Sequence, residues 1–569
     1  MNLNLKAQQQ NSYDAIVVGT GISGGWAAKE LTEKGLKTLV LERGRDVQHL
    51  KDYPTMMKEP WELPNANRLS DEELKLYPVQ GRTKWINQGN KHWWVKDLEN
   101  PYTEVKPFDW IRGYHVGGRS LMWGRHTYRW SPMDFKANAK DGVGVDWPIR
   151  YEDLAPWYDY VESYIGVSGQ AEGLENLPDG KFLPPMQMNC VEEVFRDKVA
   201  QKFGGRKVTM GRVAHVTAPL AHDPSRGTCQ SRNLCDRGCP YGAYFSSNAS
   251  TLPAAMRTGN MTLRPNSIVH SIIYNEEIKK AIGVKVLDAV TKEEIDFYAD
   301  VIFLNASTLG STFILLNSVS SRFPNGLGNG SDQLGRNLMD HQYRAGAEGQ
   351  WEGFEDKYYI GRRPNGIYIP RFRNIGEDKR TDYIRGFGYQ GSGSRSGWMR
   401  GVAELMVGED LKELLTQPGG WSFGITGFGE CLPYQENRVT INSDKKDIYG
   451  LPTLNIDAEW KDNEVAMRKD MIAAAAEMLD ASGFKNVRTY NNPDNIGLGI
   501  HEMGTARMGL DPKTSVLNKW NQVHEAPNIF VTDGACMTSS ACQNPSLTYM
   551  ALTARAVDYA FNELKKQNL

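Results

Sequence analysis

Residues 13–44 read YDAIVVGTGISGGWAAKELTEKGLKTLVLERG. A β-branched apolar run gives way to glycines, then to a stretch with helical apolar spacing, then to a second apolar run ending in Glu42. That succession predicts a βαβ unit. Gly19, Gly21 and Gly24 form G-x-G-x-x-G between its first strand and its helix. In a dinucleotide site each glycine has its own task. Gly19 permits the tight turn, Gly21 lets backbone approach a pyrophosphate, and Gly24 lets helix and strand pack closely. Glu42 can accept hydrogen bonds from an adenosine ribose, and its charge disfavours a 2′-phosphate.

A chain of 569 residues is too long for one ordinary core, so two or more lobes are expected. No repeat, low-complexity block or long linker separates them, which predicts lobes interleaved in sequence. The apolar runs 299–305 (ADVIFLN) and 528–532 (NIFVT) read as strands returning to the sheet of the first unit. From about 346 to 490 the chain is richer in aromatics and short β-type segments such as Ile367–Phe372 (IYIPRF). This predicts a second, antiparallel sheet, with Pro370 pointing to an edge strand. The fold class expected is α/β (α+β): a Rossmann-like domain interleaved with a substrate domain built on an antiparallel sheet.

Lys and Arg total 66 against 68 Asp and Glu, which leaves no broad charge for nucleic acid or an anionic membrane surface. No run approaches the roughly 18–20 apolar residues of a membrane span. The first residues, MNLNLKAQQQNS, carry neither an apolar h-region nor a twin-arginine pair. Either the protein remains cytoplasmic or another chain carries it out. At the far end NPSLTYMALTARAVDYAFNELKK predicts an amphipathic helix with Leu547, Met550, Ala554, Val557 and Phe561 on one stripe and Pro545 in its first turn. Its start would favour an anion in front of it, although a plain packing helix fits the stripe equally well.

Three of the seven cysteines fall in CQSRNLCDRGCP, as Cys229, Cys235 and Cys239; Cys190, Cys431, Cys536 and Cys542 are scattered. A disulfide framework is not expected. The spacing C-x5-C-x3-C leaves several readings open. Unrelated buried thiols are the blandest. A zinc site would need His222 or Cys190 as a fourth ligand, and the closing Cys-Pro suits iron–sulfur ligation.

Further stretches resemble the glucose-methanol-choline (GMC) oxidoreductases, flavoenzymes that oxidise alcohols and sugars. They are HVGGRSLMWG (115–124), TLPAAMRTGNMTLRPNSIV (251–269), FLNASTLGSTFILLNS (303–318), LGRNLMDH (334–341), HEMGTARMGLDP (501–512) and NIFVTDGACMTSSACQNPSLT (528–548). The resemblance implies FAD. The ADP half would lie on the fingerprint, Gly117, Gly118 and Ser120 beside the flavin, the Val269 backbone at the adenine, and Asp533 and Gly534 near the pyrophosphate and ribityl chain. Some relatives bind FAD covalently through a histidine where this chain has Met122, so FAD is expected to be non-covalent. The implied FAD-binding domain comprises residues 12–48, 110–130, 215–345 and 495–569, with 49–109, 131–214 and 346–494 as substrate-binding and cap regions.

Oxidising an alcohol with a flavin requires a base at the hydroxyl, and histidine titrates in the right range. His501 opens the motif where the family carries its catalytic histidine, and Asn544 stands where the family has the second member, His or Asn. Asn544 before Pro545 could also be an ordinary helix cap. Arg119 and Arg507 read as structural contacts, and Trp123 as packing against the glycine loop.

The cysteine run is similar to that of one branch of the family, catalytic subunits of bacterial sugar dehydrogenases such as FAD-dependent glucose dehydrogenase and glucoside 3-dehydrogenase. That likeness implies a [3Fe-4S] cluster on Cys229, Cys235 and Cys239. A cluster beside a flavin suits a dehydrogenase that exports electrons to a cytochrome or other acceptor. In that branch a small subunit with a twin-arginine signal co-exports the enzyme to the periplasm. The reaction expected is oxidation of a sugar or glycoside at C3 of glucosides, with C1 of glucose and C2 of gluconate as alternatives. A flavin electron-transfer protein without alcohol oxidation, and an oxidase with a structural metal, are the readings from other classes.

Overall fold

The computed structural model describes residues 11–359, 365–397, 406–492 and 495–569. The polar lead before residue 11 and the last residues of the 346–494 segment, 493–494, lie outside them.

The first unit folds as its spacing predicts: strand Ser12–Val18, helix Ile22–Glu33, strand Thr38–Leu41. The two strands pair in parallel, Ala15 opposite Thr38 and Val18 opposite Leu41. The expected returning strands join them. Glu294–Leu304 pairs in parallel with Ser12–Val18, Ala526–Val531 lies parallel on its other side, and Met261–Arg264 extends the sheet beyond Thr38–Leu41. Glu294–Leu304 serves two surroundings. Its first half pairs antiparallel with Lys280–Asp288 and alternates in burial, while residues 301–304 are all buried. Continuous burial is what a parallel sheet covered on both faces demands.

Two helices cover one side, Ile22–Glu33 and the C-terminal helix Ser546–Lys565, packed on each other. Leu547, Met550, Ala554 and Val557 of the expected stripe are buried, and Phe561 is half-buried. Pro545 is the capping residue ahead of the first turn rather than within it.

The second sheet has six strands, in the order Lys485–Asn491, Ala345–Trp351, Trp421–Gly429, Phe387–Arg395, Ile367–Ile369, Thr209–Met210. Every neighbouring pair is antiparallel. Pro370 does not mark the edge: Thr209–Met210 pairs outside Ile367–Ile369, and the strand stops one residue before the proline. The missing N–H of Pro370 is accommodated by ending the strand. Helix Asp462–Ala481 backs this sheet through Met467, Met471 and Met478.

At Gly24 an added Cβ would stand 2.0 Å from the Gly19 carbonyl oxygen. Gly24→Ala is therefore expected to destabilise the protein without cofactor by about 1–3 kcal/mol. Urea denaturation monitored by circular dichroism measures the loss, and unchanged stability would contradict the packing.

Candidate active site

A cavity of about 910 Å3 runs from the fingerprint turn to the six-stranded sheet. Gly19 turns with φ +97°, and a Cβ there would meet the Asn305 carbonyl oxygen at 2.3 Å. Gly21, the residue before the helix, is the contrast: a Cβ there would find nothing within 4 Å, because its position faces the cavity. One glycine is needed for the turn, one for close packing, and one leaves room for a ligand.

Glu42 is buried on the cavity wall. Its carboxylate accepts hydrogen bonds from Thr20 N (3.1 Å), Thr20 Oγ1 (2.5 Å) and Gly44 N (3.0 Å). Burial raises its pKa against these bonds. Thr20 Oγ1 in turn accepts from Gly117 N at 2.9 Å, tying the fingerprint to the second glycine loop, a link the sequence did not disclose.

In that loop Gly118 and Ser120 line the cavity, whereas Gly117 is turned onto Asn248, whose Oδ1 would lie 1.7 Å from an added Cβ. Ser120 Oγ donates to Gly117 O (2.6 Å) and accepts from Ser247 N (3.0 Å), so its hydroxyl braces the loop. Val269, Asp533 and Gly534 complete the expected lining. Asp533 accepts from Ser311 Oγ (2.6 Å) and Ala535 N (3.0 Å), and burial pushes its pKa up to about 6. Trp123 Nε1 donates to Phe245 O and packs edge-on against that ring.

FAD fits this wall on two observations besides the open face at Gly21. Asn305 Oδ1 and Tyr549 Oη are buried polar atoms without a hydrogen-bond partner, and both residues face the cavity. Such groups are costly unless a ligand meets them.

His501 and Asn544 meet at the other end. Asn544 Nδ2 lies 3.4 Å from His501 Nε2, and Gln390 Nε2 donates to Asn544 Oδ1 at 2.7 Å. Asn544 is not the helix cap, because Pro545 holds that position. Its side chain serves the cavity instead. Loss of hydration, with the nearby His341, Arg119 and His126, holds the His501 pKa well below its ordinary value, so the ring is neutral and able to accept a proton. His501 Nδ1 stands 2.9 Å from His341 Nδ1. Beneath them the Asp340 carboxylate accepts from Gly497 N, Gly499 N and His501 N at 2.7–2.9 Å. His341 and Gln390 were not singled out from sequence. His341 ends the LGRNLMDH motif, which was the available signal; Gln390 has none.

Both arginines are engaged within the protein, and Arg119 also lines the cavity. Arg119 makes a two-pronged pair with Glu502 (3.1 and 2.8 Å), and Arg507 donates to Asn337, Gln333 and the Thr514 carbonyl.

Family models described as GMC oxidoreductase match residues 13–343 and 433–553. The chain belongs to the GMC oxidoreductase family. As a GMC oxidoreductase it is an FAD-dependent enzyme acting on CH–OH donors. It is 29% identical to 2-methyl-1,2-propanediol dehydrogenase of Mycolicibacterium austroafricanum, over 96% of this chain and 94% of that one. It is 26% identical to the fructose dehydrogenase large subunit of Gluconobacter japonicus, over 98% and 99%. Formate oxidase of Aspergillus oryzae shares the fold, with a TM-score of 0.61 at 14% identity, covering 98% of this chain and 99% of that one.

The cysteines are placed differently from the cavity residues. All seven are free thiols. Cys235 lines the cavity, and Cys229, Cys235 and Cys239 are each half-exposed. They are near enough that charge on Cys235 or Cys239 adds to the burial that raises the Cys229 pKa. Yet among the described residues no three His, Cys, Asp or Glu side chains are gathered to hold a metal. Neither the zinc set nor the cluster set is assembled. His222 is engaged with the Tyr164 carbonyl, and Cys190 begins a helix packed in the second lobe.

The open position at Gly21 makes a separable prediction. Gly21→Val should fold with a stability loss of no more than about 1 kcal/mol before FAD is added yet lose most FAD affinity, read by flavin fluorescence titration. A variant that binds FAD normally would place the pyrophosphate elsewhere.

Proposed function

We propose that this GMC oxidoreductase is a dehydrogenase of a sugar or glycoside hydroxyl, with His501 as base and Asn544 as its partner. The observation that carries this reading is the His501–Asn544 pair, Nε2 and Nδ2 3.4 Å apart, at a cavity end lined by polar groups and aromatic rings. Gln390, Arg125 and Asn365 supply polar groups there. Trp85, Tyr343 and Phe428 form a run of rings with centroids 5.9 and 5.1 Å apart, and Phe428 reaches His501 at 6.4 Å. Aromatic faces with a few placed polar groups are how a sugar is held and oriented.

FAD, when bound, supplies the hydride acceptor. The chain's residues do the rest. His501 takes the hydroxyl proton at Nε2, the Asn544 amide orients the same oxygen, and Gln390 fixes that amide through its carbonyl. Asp340 holds the His501 backbone, and Arg119 secures the neighbouring Glu502.

C3 of glucosides is the proposed position, supported by the likeness of the cysteine run to glucoside 3-dehydrogenase. Anaerobic mixing tests it: bleaching of the flavin by methyl glucoside, whose C1 hydroxyl is blocked, excludes C1 and favours C3, whereas bleaching by glucose alone would mean C1 and by gluconate alone C2. The same run supports a [3Fe-4S] cluster and an external acceptor, with a twin-arginine small subunit carrying the enzyme to the periplasm. About three irons with acid-labile sulfide per flavin are expected; zinc without sulfide would overturn the cluster.

His501→Ala should keep its FAD and lose about 10²–10⁴-fold in flavin reduction. The pH dependence follows from the lowered pKa. The base works unprotonated, so the active form persists as pH falls through 6.5. The acid limb of kcat/KM should therefore lie below pH 6.5, and a limb centred above that value would assign the titration to another group.

A further inference from the structure

His341 is buried, and its Nε2 lies 3.1 Å from the Ser540 carbonyl oxygen and 2.9 Å from that of Ala541. Carbonyl oxygens only accept, so Nε2 carries a proton. Burial lowers the ring's pKa to about 4, so at neutral pH that proton is its only one and Nδ1 presents a bare lone pair. Facing it at 2.9 Å is His501 Nδ1. Two bare nitrogens at that distance would repel, so the hydrogen between them belongs to His501.

We infer that His341 is a positioning residue that fixes the tautomer of His501, holding its proton on Nδ1 and leaving Nε2 bare toward the cavity. The far side of His501 cannot make this choice. Turning the amides of both Asn544 and Gln390 end for end would give an equally complete chain with an Nε2–H donor. The two backbone carbonyls break that symmetry because they cannot be turned. His341 does not touch substrate. It acts through His501, and the Asp340 carboxylate next to it in sequence holds the same residue by its backbone N–H. When Nε2 takes the hydroxyl proton, the Nδ1–H···Nδ1 bond becomes charge-assisted and strengthens.

This inference rests on His501 being the base, but its test does not. In holoenzyme labelled with ¹⁵N-histidine, assigned by comparison with His501→Ala, the His501 Nε2 signal should be that of an unprotonated nitrogen. A protonated Nε2 in the wild type would overturn the inference, whatever His501→Ala does to the rate. His341→Asn offers an amide oxygen near the place of Nδ1 and should keep the tautomer and stay within about threefold of the wild-type flavin reduction rate. His341→Leu offers no acceptor. It should lose about 10–100-fold in that rate with KM and FAD content little changed, and its Nε2 signal should move toward the protonated form. A Leu variant with both rate and tautomer intact would sink the proposal. If that variant fails to fold, the wild-type and Asn spectra still decide. Normal flavin reduction in His501→Ala would instead remove the base assignment and leave the tautomer result standing.

Discussion

The contact between the Gly24 position and the Gly19 carbonyl is the constraint on which the rest of the structure hangs. With no side-chain atom between them, the helix starts directly over the end of the first strand. Its N–H groups then face the cavity rather than a neighbouring side chain. The same turn brings Thr20 to where its hydroxyl joins Glu42 on one side and Gly117 on the other. A side chain at Gly19 or Gly117 would press on Asn305 or Asn248, from distant parts of the chain, and one at Gly24 on the turn itself. The cavity exists because backbone, not side chain, lines its tightest corner.

The far end is built on the opposite plan. There the wall is side chain, and each member is held by another. Asp340 takes three backbone N–H groups, two from glycines of the loop and one from His501. A buried carboxylate that satisfies three donors fixes that loop more firmly than any single bond could. Its pKa is pushed up to about 7, by burial first and by the charge of Glu502 second. One dipeptide, Asp340-His341, thus places both the backbone and the ring of His501.

The parallel sheet was legible because its signals are local. The unit at 13–44 declares itself within one window, and the runs at 299–305 and 528–532 carry the continuous apolarity of strands covered on both faces. The antiparallel lobe was legible in kind but not in order. Thr209–Met210 is too short to give a period, so nothing in the sequence showed that it covers Ile367–Ile369. Asn544 drew two readings from its place before proline, and the cap reading falls because Pro545 holds that position. His341 lies 160 positions from His501 and Gln390 lies 154 from Asn544, and no pattern along the chain links residues so far apart. Spacing predicts which face a residue takes within its own element; which two elements meet is settled by packing.

The cysteine loop shows the same division from the other side. Its spacing is a strong local signal, and its anchoring is a tertiary fact. Asn90 donates to the Asp236 carboxylate and Trp93 Nε1 to the Asp236 carbonyl, so the turn that begins at Cys235 is pinned to residues 90–93. Arg237 and Arg232 add bonds to the carbonyls of Lys58 and Met56. The loop therefore has a fixed seat at the cavity wall even though its thiols are not drawn into a ligand set. Thiols gathered without a metal would face one another with only weak hydrogen bonds in return, and as thiolates they would repel. A metal supplies the attraction that closes such a set. The seat of the loop is set by Asp236, Arg232 and Arg237 and does not depend on the three thiols.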